Sequence, residues 1–271
     1  MTTGERVKKM AVGAEMTKQK IRQFVLDFGV DDVGFASVDD YISPRSPAIA
    51  SLFPTARSMV VMAYKEPANC DSASPIMAVN GRLDLMEFSR SCNYKLSRFL
   101  NREYHTKAMT VPVSYPVNMA GEGKGLIGEV SLRHAALAAG LGNWGRHNLI
   151  MHPRLGSRVI FSAVLTELEL PSDPPVTEDL CIDCDICVNS CPAGALDEEG
   201  KTAVMKCLRK SQPYGIGAAI GFWLKFAESQ PDVQKKMLQS PDFMSLYQAQ
   251  SLGFQYYCFQ CLATCPIGED L

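Results

Sequence analysis

No apolar run in the 271-residue sequence approaches the ~18 residues that a helix needs to cross a bilayer. The charged opening Met1–Met10 is followed by no apolar core of signal-peptide length. Both absences lead to the expectation of a soluble, cytoplasmic protein with no membrane span. Charge of one sign is scarce too: 27 basic residues against 29 acidic ones leave a net −2. A chain without a general basic field does not gather phosphate backbones, so no nucleic acid partner is expected. Internal repeats, low-complexity tracts and long charge blocks are also lacking, which sets aside solenoids and disordered tails. Cysteine is what the sequence has in quantity. Ten of them in a reducing compartment point to metal or redox use rather than structural disulfides.

A hydrophobic content of 46% can supply a sizeable core, and the length suits two unequal domains. Residues 17–28 place Ile21, Val25 and Phe28 on one helical face before Gly29, and Val33–Ser37 then reads as a strand. Further strands are expected at 58–64, 108–113, 148–151 and 157–166, with helices at 82–104 and 129–139, the latter ended by Gly140. This alternation predicts a layered domain over residues 1–170. The connector Leu170-Pro-Ser-Asp-Pro-Pro-Val176 marks a boundary near 170, and residues 171–271 form the second domain.

The first cysteine run, Cys181-Ile-Asp-Cys184-Asp-Ile-Cys187-Val-Asn-Ser-Cys191-Pro192, has the C-x2-C-x2-C-x3-C-P spacing of bacterial ferredoxins, in which three thiolates wrap one cubane and the fourth serves its neighbour. A zinc knot needs only paired C-x2-C units and leaves the rest of the run unexplained. The second run, Cys258-Phe-Gln-Cys261-Leu-Ala-Thr-Cys265-Pro266, is one cysteine short because Gln255 stands where another would fall. Cys207 lies between the runs and makes up the count. The eight then divide as Cys181, Cys184, Cys187 and Cys265 around one [4Fe–4S] cluster, and Cys191, Cys207, Cys258 and Cys261 around the other. Cys70 and Cys92 have no motif partners and read as small buried side chains. Tyr256, Tyr257, Phe259, Ile182, Ile186 and Val188 are expected to shield the clusters from water. Gly215–Leu224 reads first as a buried cover over the clusters or cofactor and second as a membrane-surface anchor.

Ala139-Gly140-Leu-Gly-Asn-Trp-Gly-Arg-His-Asn-Leu-Ile150, Pro153-Arg-Leu-Gly-Ser-Arg158 and Leu165-Thr-Glu-Leu-Glu-Leu170, followed by the split cysteine set, resemble the epoxyqueuosine reductase and reductive dehalogenase superfamily. The resemblance runs from about residue 110 to the end, and more faintly through 17–37. It implies an α+β chain: a nitroreductase-like α/β N-terminal domain that binds cobalamin base-off, then a ferredoxin-like domain whose two clusters reduce it. It also implies an oxidoreductase that accepts electrons from a low-potential donor such as ferredoxin or flavodoxin and reduces a small-molecule substrate. Counted without gaps from Gly140, the catalytic aspartate of epoxyqueuosine reductases falls on Leu126, and the proline after it on Glu129. Counterparts of the tRNA-binding helical repeats that close those enzymes and of the long export leader of respiratory dehalogenases are not expected. The expected kin are therefore the short superfamily members of anaerobes. No Asp-x-His-x-x-Gly segment, which supplies a lower histidine ligand in methyltransferases, is present; this suits base-off binding and suits equally a chain without corrinoid. A protein that reduces a partner-held corrinoid and a flavin-dependent reductase are the alternatives.

Three of the four histidines, His134, His147 and His152, fall within residues 122–152 together with Glu122, Glu129, Arg133 and Arg146. Gly121, Gly123, Gly125 and Gly128 allow the preceding loop to approach a bound group closely. Glu129, Tyr115 and Glu122 are the candidate proton donors. His134, Gly140, Gly142, Arg146 and His147 are the candidate cofactor-binding residues. On a helix starting at 129, Glu129 and Arg133 share a face.

Overall fold

A computed structural model describes residues 3–114, 116–118, 126–252 and 256–268. Its centre is an antiparallel sheet in the order β1-β2-β6-β3. Strand β2 (Ser58–Lys65) pairs along its whole length with β6 (Val159–Thr166), while β1 (Asp32–Ser37) flanks β2 and β3 (Ala108–Thr110) flanks β6. Both central strands are apolar at nearly every position, and the reason is that helices cover both faces of the sheet.

Alternation along β2 sorts the core into two halves. Val60, Met62 and Tyr64 meet Ile21 and Val25 of α1 (Thr3–Leu26) and, past the short α2 (Ile49–Leu52), Leu96 and Leu100 of α3 (Pro75–Tyr104). Burying each such side chain contributes about 1.5–3 kcal/mol. Met59, Val61 and Ala63 face the other way, against Ala135, Ala136 and Ala139 at α4 (Leu132–Ala138). Small residues on that helix let it lie close to the sheet. A Cβ at Gly34 would stand 2.2 Å from the Ala139 carbonyl oxygen.

Several boundaries differ from those read in the sequence. The helix expected from 82 begins at Pro75, because Ser74 Oγ accepts from the Met77 amide at 3.5 Å and Pro75 needs no amide partner in the first turn. The helix expected from 129 begins only at Leu132. Strand 108–113 ends at Thr110, two residues before Pro112. Of 148–151, only Ile150–Met151 (β5) is strand, paired with Asn143–Trp144 (β4).

Residues 167–185 contain no helix or strand, yet they are fixed to the sheet. Asp173 pairs with Lys18 and Arg22, each at 2.7 Å, and accepts from the Phe35 amide at 2.9 Å. Beyond this strap come the helices α5 (Ile186–Asn189), α6 (Val204–Ser211), α7 (Ile216–Glu228), α8 (Pro231–Leu238), α9 (Pro241–Leu252) and α10 (Gln260–Ala263). The expectation of a buried cover at 215–224 is not met: in α7 only Ala219 is buried, whereas Ile216, Ile220, Trp223 and Leu224 are exposed. Helix α7 packs chiefly on α8 and α9, with Phe222 stacked on Phe243, so its outer face is left open. Among the described residues no helix is long and apolar enough to cross a membrane.

Candidate iron–sulfur and cofactor site

The loop that carries Cys181, Cys184 and Cys187 reverses tightly through Asp183 and Asp185, both in the left-handed region at φ 49° and 53°. Aspartate tolerates that region better than most side chains. The turn gathers these three cysteines with Cys265 around one narrow hollow, walled also by Arg146, His147, Met151 and Pro266. The Arg146 amide donates to Cys181 Sγ at 3.3 Å, while its guanidinium pairs with Asp185 at 3.1 Å and donates to the Leu196 carbonyl at 3.0 Å. Arg146 therefore braces the cysteine loop. Burial, then the neighbouring Cys265 and Cys181, push the Cys187 thiol up.

Helix α5 carries the chain past this hollow, and Cys191 lies on a second one with Cys207, Cys258 and Cys261. Cys207 comes from α6, and Cys261 from α10. Burial, then Cys258, Cys207 and Cys191, push the Cys261 thiol up to about 12. The Tyr256 and Ser211 hydroxyls approach the Cys207 thiol. Among the described residues no three His, Cys, Asp or Glu side chains converge as a mononuclear metal centre requires; the two quartets instead surround volumes. Eight cysteines in two groups of four, each crossing between the runs, fit the donor set of two cubanes.

The second cysteine run is bound to the first and to the sheet. Ser190 Oγ and Thr264 Oγ1 share a hydrogen bond of 3.0 Å. Ser157 Oγ donates to the Leu262 carbonyl at 3.0 Å, and Arg158 donates to the Ala263 and Cys265 carbonyls at 2.5 and 3.2 Å. Near the second quartet, Arg82 lies over the rings of Tyr256 and Phe259 and pairs with the buried Glu66. Cover over the two cysteine runs is uneven. Phe259 is buried, but Ile182 and Ile186 are exposed, so the expected aliphatic cover over the first run is incomplete.

The second quartet opens onto a cleft of about 850 Å³ whose opposite wall is built from Pro44, Arg45, Arg133, His134, Trp144, His147, Asn148 and Leu149. Arg133 lies over the Trp144 ring at 5.6 Å and donates to the Asn148 carbonyl at 2.8 Å. His134 shares a 2.8 Å hydrogen bond with Ser131 Oγ, and burial, then the charge of Arg133, lower its pKa. His147 is 3% exposed, and burial pushes its pKa down to about 4.

The remaining candidates divide. Gly140, at φ 66°, ends α4 where a Cβ would stand 2.2 Å from the Pro174 carbonyl oxygen; a Cβ on Gly142 would meet the Met151 carbonyl oxygen at 2.1 Å. Their place is in backbone packing, and neither lines the cleft. His152 is taken by Asp32 at 3.0 Å and holds the turn after β5. Cys70 and Cys92 are buried. Glu129 lies before the N-cap Ser131, so it does not share a helical face with Arg133, and the expected pair is absent. Ser46 Oγ holds the neighbouring Gly128 carbonyl at 2.9 Å, which keeps this stretch beside Arg45 at the cleft wall. Tyr115 and Glu122 lie outside the described residues. Sequence reading missed Arg45, Trp144, Asn148, Lys201 and Lys210 as cleft residues; Trp144 could have been found, since it sits inside the Gly-Asn-Trp-Gly-Arg-His segment.

Comparison with known proteins adds to this geometry. A 4Fe-4S binding domain model matches residues 174–197. Epoxyqueuosine reductase of Staphylococcus aureus is 26% identical over 230 residues, covering 72% of this chain and 57% of that protein. The chain thus spans little more than half the length of such relatives. A crystal structure of epoxyqueuosine reductase with an epoxyqueuosine-modified tRNA-Tyr stem loop has a TM-score of 0.54 at 22% identity, covering 71% of this chain and 56% of that one. A catabolic reductive dehalogenase in complex with 3-bromo-4-hydroxybenzoic acid also has a TM-score of 0.54, at 20% identity, over 68% of this chain and 27% of that one. The tRNA-bound neighbour overturns the expectation that nucleic acid is excluded as a partner class. That expectation rested on net charge, which sums over the whole surface, whereas Arg45, Arg133, Lys201 and Lys210 are gathered on one cleft. By sequence this chain is similar to epoxyqueuosine reductases, and its fold is similar to that of an epoxyqueuosine reductase and of a reductive dehalogenase.

Proposed function

We propose that the chain is an iron–sulfur oxidoreductase in which two [4Fe–4S] clusters pass electrons to a corrinoid in the cleft, for reduction of a substrate presented there. In this reading residues 1–170 form a nitroreductase-like cofactor-binding unit and residues 171–271 a ferredoxin-like unit. The observation that carries it is the opening of the second cysteine quartet onto the 850 Å³ cleft walled by Arg45, Arg133, His134 and Trp144. The first quartet includes the exposed Cys184, so it faces an external donor such as a ferredoxin or flavodoxin. Electrons enter there and leave at the cleft.

A corrinoid, when bound, supplies a cobalt centre that accepts those electrons one at a time. The chain's own residues do the rest. Arg45 and Arg133 hold anionic groups of cofactor or substrate, and Trp144 lines the cleft between Arg133 and His134. Leu126, exposed, stands where the resemblance puts a catalytic aspartate, so the proton comes from another group, and Glu129, next to the Gly128 that Ser46 holds, is the assigned donor. The relatives' names and the tRNA-bound neighbour favour a modified base on an RNA stem loop as substrate. The cations on the cleft suit a phosphate backbone.

Anaerobic titration with cobalamin, followed by absorption, tests the reading. One equivalent bound per chain, with the spectrum of the base-off form, is the expected result. No change in the cobalamin spectrum, together with tight binding of a flavin, would overturn it in favour of a flavin-dependent reductase.

A further inference from the structure

Among the described residues, one buried polar group borders both cysteine quartets and has no use in the scheme above. His147 borders the first hollow beside Arg146 and Met151, and it also borders the cleft of the second quartet. Its Nδ1 accepts a hydrogen bond from the Leu149 amide at 3.2 Å. An acceptor at Nδ1 carries no proton, so in the neutral ring the proton sits on Nε2. Nε2 is buried and has no hydrogen-bond partner among the described residues. The surroundings make room for this arrangement, since a Cβ on Gly145 would stand 2.7 Å from His147 Cε1. A buried donor left unpaired is costly, and native structures satisfy nearly all such groups.

We propose that the His147 Nε2–H donates a hydrogen bond to a sulfur atom of the iron–sulfur centres and so raises the reduction potential of the cluster it contacts. The inference rests on the two-cluster reading. A hydrogen bond to cluster sulfur withdraws electron density and favours the reduced state. His147 is then a positioning and tuning residue at the junction of the electron path.

The test uses full-length protein labelled with 15N at histidine alone, reconstituted with iron and sulfide under anaerobic conditions and reduced. Pulsed electron paramagnetic resonance is expected to show a weak ring-nitrogen coupling to one cluster, and this coupling disappears in His147→Phe. In the same variant one midpoint potential moves to a more negative value, while His147→Gln, which keeps an N–H donor, returns it toward the native value. Full iron and sulfide content with no nitrogen coupling in the native protein would overturn the proposal and leave the two-cluster reading intact. So would unchanged potentials in a fully loaded His147→Phe protein. If that variant loses iron, the coupling in the native protein decides alone. Native protein that takes up no cluster would overturn the two-cluster reading and this proposal with it.

Discussion

Individual residues carried most of the readable chemistry. Cysteine spacing is local, so both runs and the need for a remote ligand could be read directly, and count alone proposes Cys207, which the fold sets on one cleft with Cys191, Cys258 and Cys261. Replacing Cys207 by Ala should therefore remove one cluster's signal and spare the other, whereas Cys70→Ala and Cys92→Ala should keep both, as iron content and the spectrum of the reduced protein will show. Equal loss on replacing Cys70 would mean that the ligand set is wrong. Contacts between distant residues gave no such signal. Arg82 and Glu66 meet across 16 residues of sequence, with Glu66 almost wholly buried and its Oε2 without a hydrogen-bond partner among the described residues. Burial pushes the Glu66 carboxyl up, and Arg82 opposes that shift. Arg82→Met leaves an uncompensated buried charge and should destabilise the fold by about 3–5 kcal/mol, measured by chemical denaturation. It should also loosen the Tyr256 and Phe259 rings beside the second quartet. The sign of the pH dependence follows from the raised folded pKa. Glu66 in that variant binds a proton in the folded state at pH values where the unfolded chain has lost it. Its penalty is therefore absent below the ordinary carboxylate pKa and grows as pH rises above it. A variant equally unstable at pH 4 and pH 7 would exclude this account.

At the scale of elements, periodicity located the central strands and the long helices because their apolar faces are continuous, but it misplaced ends. The start of α4 matters most. A carboxylate three residues before the helix was read as helical because the apolar pattern runs through Val130 and Leu132, whereas the chain turns at Ser131. Glu129 is thereby released from Arg133, and its neighbour Gly128 is held by Ser46, next to the cleft residue Arg45. Glu129→Gln should leave cluster reduction intact and cut substrate turnover steeply, since electrons still arrive and the proton does not. Unchanged turnover would return Glu129 to the role of a surface residue. The end of the same helix depends on Gly140. Its left-handed backbone and its 2.2 Å approach to the Pro174 carbonyl leave no room for a side chain, so Gly140→Ala should cost on the order of 2 kcal/mol or more in stability. A melting temperature unchanged from the native value would show that the strap at 170–176 is free to move. Helix α7 was misread for a related reason. An apolar stretch shows that a surface seeks cover without showing which partner provides it.

For the whole molecule, composition misled where geometry did not. A net charge of −2 argued against nucleic acid, yet the fold brings Arg45, Arg133, Lys201 and Lys210 to one cleft from three separate parts of the chain. Arg45→Ala combined with Arg133→Ala should weaken binding of an epoxyqueuosine-bearing stem loop and flatten its dependence on salt, because fewer counterions are released. An unchanged salt slope would place the RNA elsewhere on the surface. The same cleft joins the two halves of the account, since its floor is a cysteine quartet assembled from both runs and from α6. That assembly is the central claim, and it is tested most directly by the iron and acid-labile sulfide content of the anaerobically reconstituted chain. Two clusters held by eight cysteines require about eight irons and eight sulfides per chain, whereas about four of each, or a single zinc, would contradict the arrangement.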